Sequence, residues 1–302
     1  MTTDQLFTAK RYGPKLPLAA LIICPHGDPG DTLLKIFPEL ITGLSNAEQI
    51  LLRRYLKIEQ DRGSRELSDA IAKELLDNGL GAIVFSMNYP RGILDGGRVI
   101  SHCIRDVLSS DKRKKLEKRF TKIHENSIGK LQTLYKEINQ SQGYLIDVHT
   151  MASFSPGHPN IGTQPVTPGT IANYIKQFTE ATKCDEARRR FDLISCDEEG
   201  ELLADTKLKS AFENELNKAN IEIRHNYPYA AAKHFMMFPN LTSASGICFD
   251  IPKHLLSKEW EHPNKFDLEN FDLCKNQIKM FASITTRAIM ASIDLSRPRK
   301  RN

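Results

Sequence analysis

The sequence lacks a hydrophobic run long enough to cross a membrane and lacks a secretory cleavage signal. Its longest apolar stretch near the N-terminus, residues 16–24, is far shorter than the roughly 18 to 20 apolar residues that a spanning helix needs. No A-x-A-like motif follows this stretch, which ends in Pro25-His26. We therefore predict a buried strand here and expect no association with a membrane.

The sequence has no C-x-x-C pair, although it contains six cysteines. Wide spacing argues against a zinc ribbon and against a small disulfide framework. We therefore expect a protein of the reducing cytoplasm. The six cysteines are Cys24, Cys103, Cys184, Cys196, Cys248 and Cys274.

Several common catalytic motifs are missing too. The chain has no G-x-S-x-G elbow, no G-x-x-x-x-G-K-[ST] loop and no G-x-G-x-x-G fingerprint. Serine-hydrolase, P-loop and dinucleotide-binding functions therefore have no support in the sequence. No internal repeat and no break in composition divides the 302 residues, so we predict a single domain over residues 1–302.

The chain is 40% hydrophobic and 26% charged, which is typical of a soluble globular protein with a sizeable core. Its net charge of +5 comes partly from local basic runs, including residues 112–119. Such runs are typical of solvated helix faces, and we predict that residues 296–302 form a basic, flexible tail. We do not expect nucleic-acid binding.

Short apolar segments alternate with longer amphipathic segments, which is the pattern of a layered α/β domain. The predicted strands are residues 18–24, 81–87, 143–148, 191–195, 221–225 and 245–251. The predicted helices are residues 64–76, 110–140, 207–217 and 268–293. A loop rich in proline and glycine is predicted over residues 151–170.

Two of the predicted strands end in a histidine, His26 and His149. In open α/β sheets, ligands bind where strands end, and two histidines with one carboxylate form the donor set of a catalytic zinc site. On these residues alone, two ordinary loop histidines remain the alternative, because the sequence does not establish that they lie close together.

The order of the motifs resembles the N-formylglutamate amidohydrolase family, zinc-dependent hydrolases whose fold is similar to that of zinc carboxypeptidases and aspartoacylase. The resemblance extends over residues 18–293 and is strongest in the ordered set rather than in any one motif. The matching segments are Pro25-His26-Gly27, residues 60–63, residues 86–91, Ile123-His124, residues 147–150, residues 159–163, residues 226–229 and residues 246–251.

The resemblance implies a three-layer αβα fold with a central mixed, mostly parallel sheet. It also implies that His26, Asp61 and His149 hold Zn²⁺. Asp28 is the competing acidic ligand, although the spacing of a carboxypeptidase-like H-x-x-E motif would place the acid at Pro29. Asp147 either orients a metal ligand or is an ordinary strand-end carboxylate.

The same resemblance implies roles for three further residues. Asp250 would be the general base, at a position where the family more often has Glu. Asn88 and Arg91 would bind a substrate carboxylate, although Tyr89 and Pro90 separate two residues that are adjacent in the family. The implied partner is a small acylated amino-acid-like substrate, such as N-formylglutamate.

The expected activity is therefore hydrolysis of an N-formyl or N-acyl amide. Two alternatives stay open at this point. One is a zinc peptidase or poly-γ-glutamate hydrolase that uses the same residues. The other is a family member that has lost catalysis and acts as a binding protein.

Overall fold

The computed structural model describes residues 6–27, 32–105, 107, 109–154, 171–173, 175–176, 188–262 and 265–293. Most of the predicted loop at residues 151–170, the motif at 159–163, the tail at 296–302 and the alternative ligand Asp28 lie outside these residues.

Seven strands form one sheet. They are β1 (Phe7–Tyr12), β2 (Leu18–Cys24), β3 (Gly81–Met87), β4 (Tyr144–Met151), β5 (Phe191–Ile194), β6 (Ile223–His225) and β7 (Gly246–Pro252). Their order across the sheet is β1-β3-β2-β4-β7-β5-β6. Strands β3, β2, β4 and β7 are parallel, whereas β1 and the β5–β6 pair run in the opposite direction. The predicted mixed, mostly parallel sheet is confirmed.

The helices are α1 (Thr32–Ile36), α2 (Asn46–Glu59), α3 (Ser64–Asp77), α4 (Ser110–Gln140), α5 (Thr206–Lys218), α6 (Met237–Ser243) and α7 (Lys275–Ser292). Short 3₁₀ turns occur at Pro38–Leu40, Ile100–His102 and Lys253–Leu256. Helix α2 begins with a capping box, in which Ser45 and Glu48 satisfy each other's backbone N–H groups.

Helices cover both faces of the sheet because the parallel strands are apolar on both sides. One core packs α1, α2 and α4 against side chains such as Leu21 and Phe85. The other packs α3, α5 and α7 against side chains such as Ile22 and Val84. The predicted three-layer αβα arrangement is therefore confirmed.

Several elements differ from the sequence prediction, and helices α1 and α2 are not among the predicted helices. Strand β1 was missed, because its FTAKRY sequence is charged and largely exposed, as is typical of an edge strand. Helix α6 was missed as well. The predicted helix at 268–293 begins only at Lys275, because Leu268 and Phe271 are buried in a turn that enters the core separately.

Where the structure describes the chain, no helix is both long and apolar enough to cross a membrane.

Candidate metal centre and active site

The predicted metal ligands meet at the carboxyl ends of two adjacent parallel strands. His26 follows β2, His149 lies near the end of β4, and Asp61 lies in the short connection between α2 and α3. The backbone N–H of Asp61 donates to the carbonyl of His26 over 3.3 Å. Parallel strands end at one edge of a sheet, and that edge here brings together residues far apart in sequence.

The three side chains converge on one point. The Nδ1 atoms of His26 and His149 lie 3.1 Å and 3.4 Å from the same Asp61 oxygen, Oδ2. The two imidazole rings lie edge to face with centroids 5.1 Å apart. All three side chains are buried, and their ligand atoms lie within 4.8 Å of one another. This is a compact set of two nitrogen donors and one oxygen donor.

A second carboxylate lies behind each histidine. His26 Nε2 forms a hydrogen bond with Asp95 Oδ1 over 2.8 Å. His149 Nε2 lies 3.1 Å from Asp147 Oδ1, close enough for an ion pair but not aligned as a hydrogen bond. Carboxylates at the outer nitrogen fix the orientation of a metal-binding imidazole and leave its other nitrogen free to ligate. Both rings therefore present Nδ1 to the interior of the site.

The backbone around His26 leaves no room for a side chain at Gly97. A Cβ at this position would lie 2.6 Å from both Cε1 and Nε2 of the His26 ring. The Gly97 N–H donates to Asp95 Oδ1 over 3.0 Å, and the Gly97 nitrogen lies 3.0 Å from His26 Nε2. The His26 ring is thus held by the segment that follows β3 as well as by its own strand.

The electrostatic field of the site favours a cation. Although burial opposes both shifts, Asp147 raises the pKa of His149 well above its usual value, and His26 holds the pKa of Asp61 well below its usual value. A field that stabilises a protonated His149 among carboxylates also stabilises a divalent metal ion.

Asp250 lies on β7, directly opposite His149 on β4 and Asp192 on β5. Burial, with a contribution from Asp61, raises the pKa of Asp250 to about 6. Burial also raises the pKa of Asp192 to about 8, and the charge of Asp250 adds to this shift. Asp250 Oδ1 and Asp192 Oδ2 are buried and have no hydrogen-bond partner.

The predicted substrate ligands Asn88 and Arg91 both contact protein groups. Arg91 Nη1 donates to Asp61 Oδ1 over 3.0 Å, and its Nε lies 3.7 Å from Glu59. Arg65 donates to the side-chain carbonyl of Asn88. Arg91 therefore lies at the predicted metal centre, where it neutralises the outer oxygen of Asp61.

His124, in the motif Ile123-His124, lies in the core and has a structural role. Its Nδ1 contacts the hydroxyl of Tyr89 over 3.0 Å and its Nε2 contacts the carbonyl of Arg98 over 2.8 Å.

Sequence reasoning missed Asp95 and Asp192. Asp95 lies in the Asp95-Gly96-Gly97 segment, where the paired glycines are the only local signal of a close backbone approach. Asp192 is a polar residue inside an otherwise apolar strand, which was a signal for a functional carboxylate.

Comparison with known proteins shows a likeness in fold. No protein-family model and no curated protein sequence matches this chain. The crystal structure of N-formylglutamate amidohydrolase from Ralstonia eutropha JMP134 is similar, with a TM-score of 0.57, 12% identity and coverage of 95% of this chain and 98% of that one. A gene product of Agrobacterium tumefaciens is also similar, with a TM-score of 0.60, 11% identity and 97% of both chains covered. This chain therefore has the fold of an N-formylglutamate amidohydrolase over nearly its whole length.

Proposed function

We propose that this chain is a zinc-dependent amidohydrolase that cleaves an N-formyl or N-acyl amide of an amino-acid-like substrate. The observation that carries the proposal is the convergence of two histidine Nδ1 atoms on one Asp61 oxygen, with a carboxylate behind each ring. The shared fold with a protein named N-formylglutamate amidohydrolase supports the class of reaction.

His26, Asp61 and His149 would hold the metal. Two imidazole nitrogens and one carboxylate oxygen suit zinc in a catalytic site, where a fourth position stays open. A bound zinc ion supplies Lewis acidity, which polarises an amide carbonyl and lowers the pKa of a coordinated water to about 7.

Asp250 would act as the general base. A carboxyl with a pKa of about 6 is mostly ionised at neutral pH and is still basic enough to accept a proton from an attacking water. Its buried Oδ1 has no hydrogen-bond partner, so this oxygen is available to the proton. The same carboxyl would then deliver the proton to the leaving amine.

The substrate-binding role of Asn88 and Arg91 stays part of the proposal. Arg91 would reach a substrate carboxylate only from its position beside Asp61.

The five cysteines among the described residues are all free, which supports a reducing compartment such as the cytoplasm.

Metal stoichiometry of the untagged protein tests this proposal. We expect close to one zinc per chain in the wild type and almost none in His149→Ala, measured by mass spectrometry. His225→Ala is the matched control, since His225 lies on the exposed edge strand β6, and it should keep its zinc. Asp250→Asn should keep zinc and lose hydrolysis of N-acyl amino acids by at least a hundredfold. A wild type that stays metal-free in supplied zinc contradicts the proposal and favours a binding protein.

A further inference from the structure

Arg189 is a buried arginine that the mechanism above does not use. It lies two residues before β5 and is only 7% exposed to solvent. Its backbone N–H donates to the carbonyl of Ser153 over 2.9 Å. Its guanidinium lies over the ring of Tyr229, with 5.7 Å between Cζ and the ring centroid. The side chain is therefore held in place by packing.

The polar edge of this guanidinium is unpaired. Nε and Nη2 of Arg189 are both buried, and neither has a hydrogen-bond partner. These two nitrogens form the edge that binds a carboxylate with two parallel hydrogen bonds. Arg54 uses the same edge in this protein, where Nε and Nη2 donate to the two oxygens of Glu269 over 3.0 Å and 2.6 Å.

The other buried arginines of the described residues are paired. Arg98 Nε lies 3.2 Å from Asp95 Oδ2, and Arg105 Nη1 lies 3.9 Å from the same oxygen. A buried charge without a partner is costly, and buried arginines are therefore normally neutralised. Arg189 departs from that pattern, because none of the described residues pairs with its Nε or Nη2, and this points to a partner in a bound ligand.

Arg189 lies at the same edge of the sheet as the proposed catalytic base. The chain enters β5 two residues after Arg189, and Asp192 on that strand pairs in register with Asp250 on β7. Arg189 Nε and Nη2 form no hydrogen bond with either carboxylate. A ligand group on Arg189 would thus lie on the Asp250 side of the site, whereas Arg91 lies on the Asp61 side.

We infer that Arg189 binds a carboxylate of the substrate through its Nε and Nη2 atoms. This inference rests on the proposed function and narrows the substrate class to acyl amides that carry a free carboxylate, to the exclusion of neutral amides. Nε and Nη2 of Arg189 are open to a substrate carboxylate, whereas Arg91 is already paired with Asp61.

Binding of a substrate analogue that resists hydrolysis tests this inference. N-methanesulfonylglutamate and its two monoamides are titrated by calorimetry into the full-length, zinc-loaded protein. We expect the wild type to bind the diacid, and Arg189→Met to weaken this binding at least tenfold. One of the monoamides should bind the wild type as weakly as the diacid binds Arg189→Met. The Arg189→Met substitution should not weaken the binding of that monoamide further, because amidation and substitution remove the same contact.

Two further variants make the test specific. Arg189→Lys keeps the charge without the two-pronged edge and should still weaken diacid binding at least fivefold; it also decides the question if Arg189→Met fails to fold. Arg190→Met is the matched control, because Arg190 is already paired with Glu222, and its affinity should stay within twofold of the wild type.

Three results would overturn the inference: no binding of the diacid by the wild type, no loss in Arg189→Met, or an equal loss for all three probes, which indicates a purely structural arginine. Turnover separates this inference from the proposed function. Binding that depends on Arg189 without hydrolysis of any N-formyl or N-acetyl amino acid contradicts only the proposed function. Hydrolysis that does not depend on Arg189 contradicts only the inference.

Discussion

At the scale of single residues, the paired carboxyl groups of Asp192 and Asp250 determine how the site responds to pH. They lie opposite each other on the antiparallel strands β5 and β7, and both are buried. Two such groups cannot both ionise without repulsion, so the more strongly shifted one stays protonated. Asp192 is that group, because its pKa of about 8 exceeds the pKa of about 6 of Asp250. Asp250 is therefore the one left ionised at neutral pH, as its proposed role of general base requires.

This pairing predicts that Asp192→Asn stabilises the protein at high pH. Burial raises the folded-state pKa of Asp192 from 3.8 to about 8, so between these values the folded protein holds a proton that the unfolded chain has released. The stability contributed by this proton is complete below about pH 4 and is lost as the pH rises towards 8. The variant removes this dependence and should gain on the order of 1 to 3 kcal/mol over the wild type between pH 5 and pH 8.

Thermal unfolding at several pH values, with a chelator present, measures this effect. Asp192→Ala is the control, because it removes the oxygen that accepts from the Tyr227 N–H over 3.0 Å, and it should be less stable than Asp192→Asn at every pH. A constant difference between Asp192→Asn and the wild type from pH 5 to pH 8 would show that Asp192 does not hold a proton.

At the scale of elements, the connection between β3 and α4 completes the site from outside the sheet. Its backbone folds back on itself, with the Asp95 N–H donating to Cys103 over 2.6 Å and the Arg105 N–H donating to Ile93 over 3.0 Å. Asp95 is thereby fixed against His26, whose own position is set by β2. One proposed metal ligand is thus oriented by two separate segments, which is how a site gains rigidity.

The sequence predicts the site residues at strand ends but not those in the connection between β3 and α4. Period and strand ends locate His26 and His149, because parallel strands finish at one edge whatever their spacing in sequence. Asp95 lies in the connection between β3 and α4. The path of this connection depends on tertiary contacts, and its sequence shows no hydrophobic periodicity from which that path could be predicted. The family resemblance implied that Arg91 binds a substrate carboxylate, and it did not reveal that Asp61 is the partner of Arg91 in this chain.

The close approach of this connection predicts that Gly97→Ala weakens metal binding. The added Cβ would lie 2.6 Å from the His26 ring and would displace either the ring or the segment that carries Asp95. We expect a loss of zinc affinity of about ten- to a hundredfold, measured by competition with a chromogenic chelator. Gly129→Ala is the matched control, since Gly129 is exposed on α4 with no atom within 4 Å of an added Cβ; its zinc affinity should not change. Equal affinities in both variants would show that Gly97 does not position His26.

At the scale of the whole molecule, β7, the last strand among the described residues, lies inside the sheet. Strand β7 pairs with β4 on one side and β5 on the other, so the sheet is continuous only after residue 252 has been made. Helix α7 then packs against α3 and α5 in the second core. The proposed metal ligands His26, Asp61 and His149 all precede residue 150, whereas Asp250 is placed opposite His149 only by the pairing of β7 with β4. Folding and assembly of the active site therefore depend on the same late contacts.

This arrangement predicts that a chain ending at Ser243 does not fold. It lacks β7 and α7, so β4 loses a partner, β5 and β6 are separated from the sheet, and side chains such as Leu67 and Phe212 are exposed. We expect no cooperative thermal transition by calorimetry and strong binding of a hydrophobic dye. A chain ending at Ile293 keeps every strand and helix described above and both cores; its melting temperature should stay within about 2 °C of the full-length value. A cooperative transition in the shorter chain would mean that the first four strands form an independent domain, and the single domain predicted over residues 1–302 would be wrong.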